Sequence, residues 1–329
     1  MYDRSLWITW EKQRRTTEMA KHLRIPLVRF LDNGPYWLRI LKVTVKTVAL
    51  LARRRPRLVF VQNPSIVLAA LVCFFKDLGR FEVVVDRHSN FKFDTLGSRS
   101  LKYKGFHALS RYSLRRADLT IVTNRYLADV VEAYGGRAHV LPDAIPSPPQ
   151  VQPLDLGPGH HILYVCSFDA DEPVPLVLEA AALLPDDVQI HVTGDSSRAD
   201  PAVLASAPDN VCWLGFVSEQ EYWGTMAAVD VVLTLTTQDH TLQCGAYEGV
   251  AVGVPLVFAD HAAMSSHFHK GVVPTALSSQ GLAAALAEAI ADNMRLRSDI
   301  SDLKLELMAQ WELDVAPIEE RLARAEETA

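Results

Sequence analysis

The chain has 329 residues, 49% of them hydrophobic and 22% charged. That length suits about two domains of roughly 150 residues each, and the apolar share excludes a disordered chain that buries no core. The net charge of −6 hides an asymmetry: residues 1–150 carry 26 Lys+Arg against 12 Asp+Glu, whereas residues 151–329 carry 7 against 27.

The first half is therefore net +14 and the second net −20, which gives the first half a strongly basic face and makes the halves attract across a cleft. The run Arg53-Arg54-Arg55-Pro56-Arg57 suits an anionic surface. Cys73, Cys166, Cys212 and Cys244 form no C-x-x-C pair, a spacing against a disulfide framework or zinc site and in keeping with a reducing compartment. Cys244 is expected to be a buried small hydrophobe. The opening MYDRSLWITW carries no secretory leader pattern. The longest apolar run, Ile66–Phe75, is far shorter than the about 20 residues that span a bilayer. A cytoplasmic protein is expected.

Leu6–Thr9 reads as a strand, followed by the charged segment Trp10-Glu11-Lys12-Gln13-Arg14-Arg15. Arg14 or Arg15 can hold a phosphate at the start of the next helix. Strands are predicted at Leu27–Phe30, Leu58–Gln62, Phe81–Asp86, Leu119–Thr123 and His139–Leu141, with helices at Tyr36–Leu51 and, after the turn Asn63-Pro64-Ser65, at Ile66–Phe75. Alternating strands and helices predict parallel βαβ units and a doubly wound sheet. Residues 146–160, PSPPQVQPLDLGPGH, hold five prolines and two glycines. No regular element survives that density, so the linker lies here and the boundary near 150.

The second half repeats the pattern. Strands are predicted at Ile162–Cys166, Gln189–Thr193, Val211–Leu214, Val229–Leu235 and Pro255–Phe258, with helices at Val174–Leu184, Gln220–Ala228 and Leu282–Ala291. Leu303–Ala325 is predicted as one or two helices broken near Pro317.

The most informative stretch is Gln243–Pro255, QCGAYEGVAVGVP, lying between two apolar strands. A strand, a small-residue turn and a helix N-terminus present N–H groups and a positive dipole end to a phosphate. Glu248, one turn further in, is placed to accept hydrogen bonds from a ribose diol. The block resembles the C-terminal signature of GT-B glycosyltransferases, especially family-4-like enzymes, with Glu248, Gly253 and Pro255 at the matching positions. Val165–Ser167, Val192–Gly194 and Leu214–Val217 fall in the order of that family's donor domain. The resemblance implies an α/β protein of two Rossmann-like domains facing across a cleft. Residues 1–150 would bind the acceptor and 151–329 the nucleotide-sugar donor, with no cofactor beyond that co-substrate.

The resemblance also implies site residues. Ser167, Thr193 and Gly194 follow strands and would approach the donor. Phe216 and Val217 would read the nucleobase edge, and Gln243, Cys244, Gly245, Ala246 and Glu248 would surround the phosphates and ribose. The family's E-x7-E pattern reads H-x7-E here, so His240 stands where the first acid would contact the transferred sugar. The family's Arg/Lys pair near the diphosphate is missing after the first donor-domain strand, where the loop Ser167–Pro173 offers only acids. Lys270 is the expected substitute.

In the first half, Asp86-Arg87-His88-Ser89-Asn90 directly follows the strand FEVVVD. An Asp and a His two apart at a strand's carboxyl end can deprotonate an acceptor. The segment is similar to the D-x-H-N stretch of bacterial relatives. This pair makes an inverting mechanism credible, with the departing diphosphate stabilised by a helix dipole and basic groups.

Asp169-Ala170-Asp171 has D-x-D spacing but sits in a donor loop, so no metal is expected. No phosphate-loop or dinucleotide fingerprint occurs, and no nucleic-acid motif accompanies the basic half. The expected function is metal-independent hexosyl transfer to a lipid-linked or polysaccharide-precursor acceptor, at an anionic membrane surface on the inner face of the plasma membrane. The alternatives are a non-catalytic GT-B subunit that binds a partner glycosyltransferase or a nucleotide, and another GT-B enzyme such as a nucleotide-sugar 2-epimerase.

Overall fold

The computed structural model describes residues 2, 4–62, 65–89 and 91–327. Asn63 and Pro64 of the predicted turn, and Asn90 of the segment after FEVVVD, lie outside that set. The chain divides into two compact units, Met1–Asp143 with Trp311–Ala329, and Ala144–Gln310.

The first unit runs β1 (Ser5–Thr9), α1 (Arg14–His22), β2 (Leu27–Arg29), α2 (Tyr36–Arg54), β3 (Leu58–Gln62), α3 (Ile66–Gly79), β4 (Glu82–Asp86), α4 (Leu101–Arg116), β5 (Leu119–Val122), α5 (Arg125–Ala133) and β6 (Ala138–Val140). Its six strands are parallel in the order β2-β1-β3-β4-β5-β6. The central strand β3, LVFVQ, is buried at every position, as a strand covered by helices on both faces must be. The order reverses between β1 and β3, so their carboxyl ends flank the crevice where such sheets bind ligands.

The second unit runs β7 (His160–Tyr164), α6 (Val174–Ala181), β8 (Val188–Thr193), α7 (Pro201–Ala205), β9 (Val211–Gly215), α8 (Glu219–Ala228), β10 (Val231–Thr234), α9 (Cys244–Val252), β11 (Leu256–Ala259), α10 (Ala262–His267), β12 (Val272–Thr275) and α11 (Ser279–Ala291). The strands are again parallel, ordered β12-β11-β10-β7-β8-β9, with the reversal between β7 and β10. Apolar clusters around Ile162, Val177 and Leu286 and around Leu163, Val250 and Phe258 form its core.

Three features depart from the sequence reading. The boundary expected near 150 lies at Asp143/Ala144, and the end of the chain, assigned to the second span 151–329, joins the first unit. The last helix, α12 (Asn293–Glu327), runs through Pro317 without the predicted break. Pro317 and Leu313, whose carbonyl loses its helical donor, are both on the exposed side, so water satisfies that oxygen and the helix continues. The strand β12, VVPT, was not anticipated, and it carries Pro274. It lies at the sheet edge, where a missing N–H is tolerated.

Candidate active site

In the first unit the carboxyl ends of β1, β3 and β4 are joined by polar side chains. The Thr9 hydroxyl donates to Gln62 Oε1 across β1 and β3, and Trp10 Nε1 donates to Thr47 of α2 at 3.0 Å. Asp86, at the end of β4, is fully buried. Arg15 Nε donates to Asp86 Oδ1 at 3.2 Å, its Nη2 donates to the Leu141 carbonyl at 2.8 Å, and its Nη1 pairs with Asp143. Burial pushes the Asp86 carboxyl up, but Arg15 and then His88 more than reverse this and hold it at about 2. Burial likewise opposes the Arg15 charge, and Asp86 with Asp143 raises its pKa overall. His88 Nδ1 lies 3.4 Å from Asp86 Oδ2. Asp86 thus stays ionised with the imidazole beside it. Between them in sequence, Arg87 turns inward. It is buried, donates to Ser110 Oγ at 2.7 Å and stacks over Phe91 at 4.1 Å. Burial lowers its pKa to about 10.

These contacts separate the two arginines considered for phosphate. Arg15 is taken up by two carboxylates and a carbonyl around Asp86. Arg14, the first residue of α1, is exposed.

In the second unit, α9 begins at the β7/β10 reversal. A Cβ on Gly245 would lie 2.8 Å from both Thr234 Cγ2 and Val165 Cβ, so only glycine lets this helix enter between the two strand ends. Gln243 supplies no side-chain cap, its amide donating instead to the Leu235 carbonyl at 3.0 Å. The helix N-terminus, with Cys244, Gly245 and Ala246, thus faces the carboxyl edge without a capping side chain from Gln243. Glu248, 6% exposed, accepts a hydrogen bond from Tyr222 of α8 at 2.5 Å. His240 sits in the loop between β10 and α9, its Nδ1 3.1 Å from Asp239 Oδ1.

The neighbouring strand ends complete the edge. Gly194, after β8, has φ +99, and a Cβ there would lie 2.2 Å from the Cys166 carbonyl. The Thr193 hydroxyl is spent within the sheet, accepting from Cys166 N at 3.2 Å and donating to the Tyr164 carbonyl at 3.3 Å. Gly215, the last residue of β9, has φ +69 and delivers Phe216, 85% exposed, with Val217 half-buried behind it. Ser167 heads the loop after β7, and Thr236 Oγ1 donates to Asp171 of that loop at 2.6 Å, joining it to the loop after β10.

Two expectations fail on position. Lys270 precedes β12, whose residues pair in parallel with β11 from Leu256 onward. It is therefore at the amino edge, roughly a strand length of about 13 Å from the carboxyl edge, and is paired with Glu306 of α12. Cys244 is exposed at the first residue of α9 and is not a buried hydrophobe. Two contributors went unread. Tyr222 had no signal beyond its place in a helix. Arg198 follows the Thr193-Gly194-Asp195 turn, and its Nη1 donates to the Ser167 carbonyl at 2.6 Å. Its signal was its rarity, a base in a half of the chain that holds only seven.

The comparisons with known proteins match these two sheets. The family described as Glycosyltransferase Family 4 matches residues 8–147, and Glycosyl transferases group 1 matches residues 159–295. The chain belongs to the family-4-like GT-B glycosyltransferases. Its fold is similar to that of HepE from Anabaena, solved with UDP, at a TM-score of 0.74 and 14% identity over 97% of this chain and 98% of that one. Sucrose-phosphate synthase from Thermosynechococcus elongatus gives 0.75 and 14% over the same shares. A protein from Listeria monocytogenes assigned as a UDP-N-acetylglucosamine 2-epimerase gives 0.61 and 11% over 91% and 90%. No curated protein matches in sequence. In this GT-B glycosyltransferase both sheets place polar and titratable side chains near their carboxyl edges.

Proposed function

We propose that the protein moves a sugar from a nucleotide-sugar to a hydroxyl of a lipid-linked or polysaccharide-precursor acceptor at a cytoplasmic membrane face. The observation that carries the donor half is Glu248, a nearly buried carboxylate on α9, held by Tyr222 at the β7/β10 reversal. It suits a ribose diol, with the α9 N-terminus on the phosphates. HepE, similar in fold, was solved with UDP-glucose, which makes UDP-sugars the first donors to try. In the acceptor half, His88 Nε2 takes the acceptor proton while Asp86 stabilises the imidazolium. The acceptor oxygen bonds to the anomeric carbon, the bond to the diphosphate oxygen breaks, and the nucleoside diphosphate leaves with the configuration inverted.

A thermal-shift screen of nucleotide-sugars on wild type and Glu248→Ala tests this reading. A shift with one donor that the substitution removes supports it. No shift with any nucleotide or nucleotide-sugar removes it and promotes the non-catalytic GT-B subunit, which the histidine at position 240 and the acidic loop Ser167–Pro173 otherwise favour only weakly. Metal independence belongs to the same proposal, with turnover unchanged in EDTA as its expected result.

The membrane part rests on α2. Trp37, Leu38, Leu41 and Val45 are exposed large apolar side chains, Trp37 at 79%, and Lys42 and Lys46 rise beside them one turn apart. No helix among the described residues is long and apolar enough to cross a membrane. An apolar stripe flanked by bases is the pattern of a helix lying in an anionic interface.

A further inference from the structure

The second unit is strongly acidic, yet its ligand edge must receive a diphosphate if the donor reading holds. It contains five basic residues, Arg198, Lys270, Arg295, Arg297 and Lys304. Topology removes four of them from the ligand edge. Lys270 precedes β12 at the amino edge. Arg297 donates to the Val229 carbonyl just before β10 at 2.7 Å, and Lys304 to Ala251 near the far end of α9 at 2.6 Å. Arg295 pairs with Asp292 and Asp299 of its own segment. Among the described residues of this unit, Arg198 is the Lys or Arg side chain at the carboxyl edge.

Arg198 reaches back from the loop after β8 to the loop after β7. Besides the Ser167 carbonyl it pairs with Asp169 Oδ1 at 2.5 Å, and it remains 48% exposed. In that same loop Glu172 Oε2 accepts from Ser167 N at 2.8 Å, Ser167 Oγ at 3.0 Å and Asp169 N at 3.0 Å. A guanidinium, two backbone N–H groups and a hydroxyl, the donors that recognise phosphate oxygens, thus converge within one loop pair. Their acceptors are two carboxylates of that loop, held beside the strand end where ligands bind in such sheets.

We propose that Arg198, Ser167 and the Asp169 N–H form the diphosphate subsite of the donor, and that Asp169 and Glu172 occupy it as exchangeable internal anions. The inference rests on the nucleotide-sugar reading and deepens it. Donor binding moves Arg198 from Asp169 to a phosphate oxygen and swings Glu172 off the N–H groups. The family's Arg/Lys pair is then replaced by one arginine from the next loop, and the two acids set a threshold that a singly charged ligand does not overcome.

The test uses the full chain and calorimetry with UDP, GDP and ADP, their nucleosides, and inorganic pyrophosphate. Arg198→Met is expected to weaken the preferred nucleoside diphosphate and pyrophosphate at least tenfold and to leave the nucleoside unchanged. Glu172→Gln is expected to tighten both anions at least threefold. If Glu172→Gln does not fold, Asp169→Asn, which releases Arg198, serves with the same expectation. An unchanged diphosphate affinity in Arg198→Met, or weaker anion binding in the folded neutralised variant, overturns the proposal. If Glu248→Ala removes the nucleotide while Arg198→Met does not, the donor reading stands and this subsite falls. If pyrophosphate binds through Arg198 and no nucleotide binds, the subsite stands as an anion site and the donor reading falls. If neither pyrophosphate nor any nucleotide binds wild type or the neutralised variant, both fall.

Discussion

At the scale of single residues, the Arg15–Asp86–His88 group carries the most consequence. Asp86 is fully buried beside a guanidinium, and removing one partner of such a pair strands the other charge. Arg15→Met is expected to cost about 3–5 kcal/mol in urea unfolding, with a much smaller loss when combined with Asp86→Asn. The Asp86 pKa is depressed from 3.8 to about 2, with burial opposing and Arg15 producing the depression. The sign follows: its contribution is complete above pH 3.8 and is lost as pH falls through about 2. Acid unfolding of wild type against Asp86→Asn measures it. For catalysis, His88→Ala is expected to lower kcat by about 10²–10⁴-fold with little change in nucleotide affinity, and a fall in nucleotide affinity instead would move His88 out of the base role. Glu248 was legible because strand, small turn and helix follow one another in sequence. Arg198 was not, because its partners lie 29 and 31 residues away, and only the β7–β8 pairing brings the two loops together.

At the scale of elements, α2 divides into faces that the sequence spells out. Val43, Thr47 and Leu51 are buried one turn apart, and the exposed apolar side chains lie on another face. Trp37→Ser with Leu41→Ser is expected to abolish flotation with phosphatidylglycerol-containing vesicles. Lys42→Gln with Lys46→Gln is expected to weaken it by about 1 kcal/mol per base and to reduce its salt sensitivity. Equal flotation with pure phosphatidylcholine would refute the electrostatic part. Within the second sheet, His161 Nδ1 of β7 lies 3.1 Å from His191 Nε2 of β8, within hydrogen-bond distance. Burial, then His161, lowers the His191 pKa below 6.5. A depressed histidine favours the fold while neutral, so this contribution is present above pH 6.5 and declines as pH falls below it. Denaturation midpoints across that range should fall for wild type and fall less for His191→Gln. The alternation of strands and helices made the strands up to β11 readable, while α4, α5, α7 and α10 were not singled out. The departures β12 and the unbroken α12 both contain proline, whose effect depends on whether the missing N–H faces an edge or water.

At the scale of the whole molecule, the sequence conveyed two parallel α/β units and their opposite charges but not the return of the chain end. Nothing in composition marks residue 311, because α12 keeps one helical pattern on both sides of it. Its last turns nonetheless complete the first unit. Trp311, Val315, Ile318 and Leu322 are buried in the cluster with Trp7, Phe60 and Ile121. Trp311 also donates to the Pro142 carbonyl at 3.2 Å. Burying four such side chains contributes on the order of 6–12 kcal/mol, comparable with the entire stability of a domain. A fragment ending at residue 150 should therefore fail to unfold cooperatively, whereas residues 1–143 fused to 311–329 should regain a sharp melting transition. During translation the consequence is one of timing. The first unit emerges from the ribosome long before its closing helix, and must wait with one side of its sheet bare while the whole second unit is made. Shortening that interval by circular permutation, with 311–329 placed ahead of β1, should raise soluble yield without touching either site.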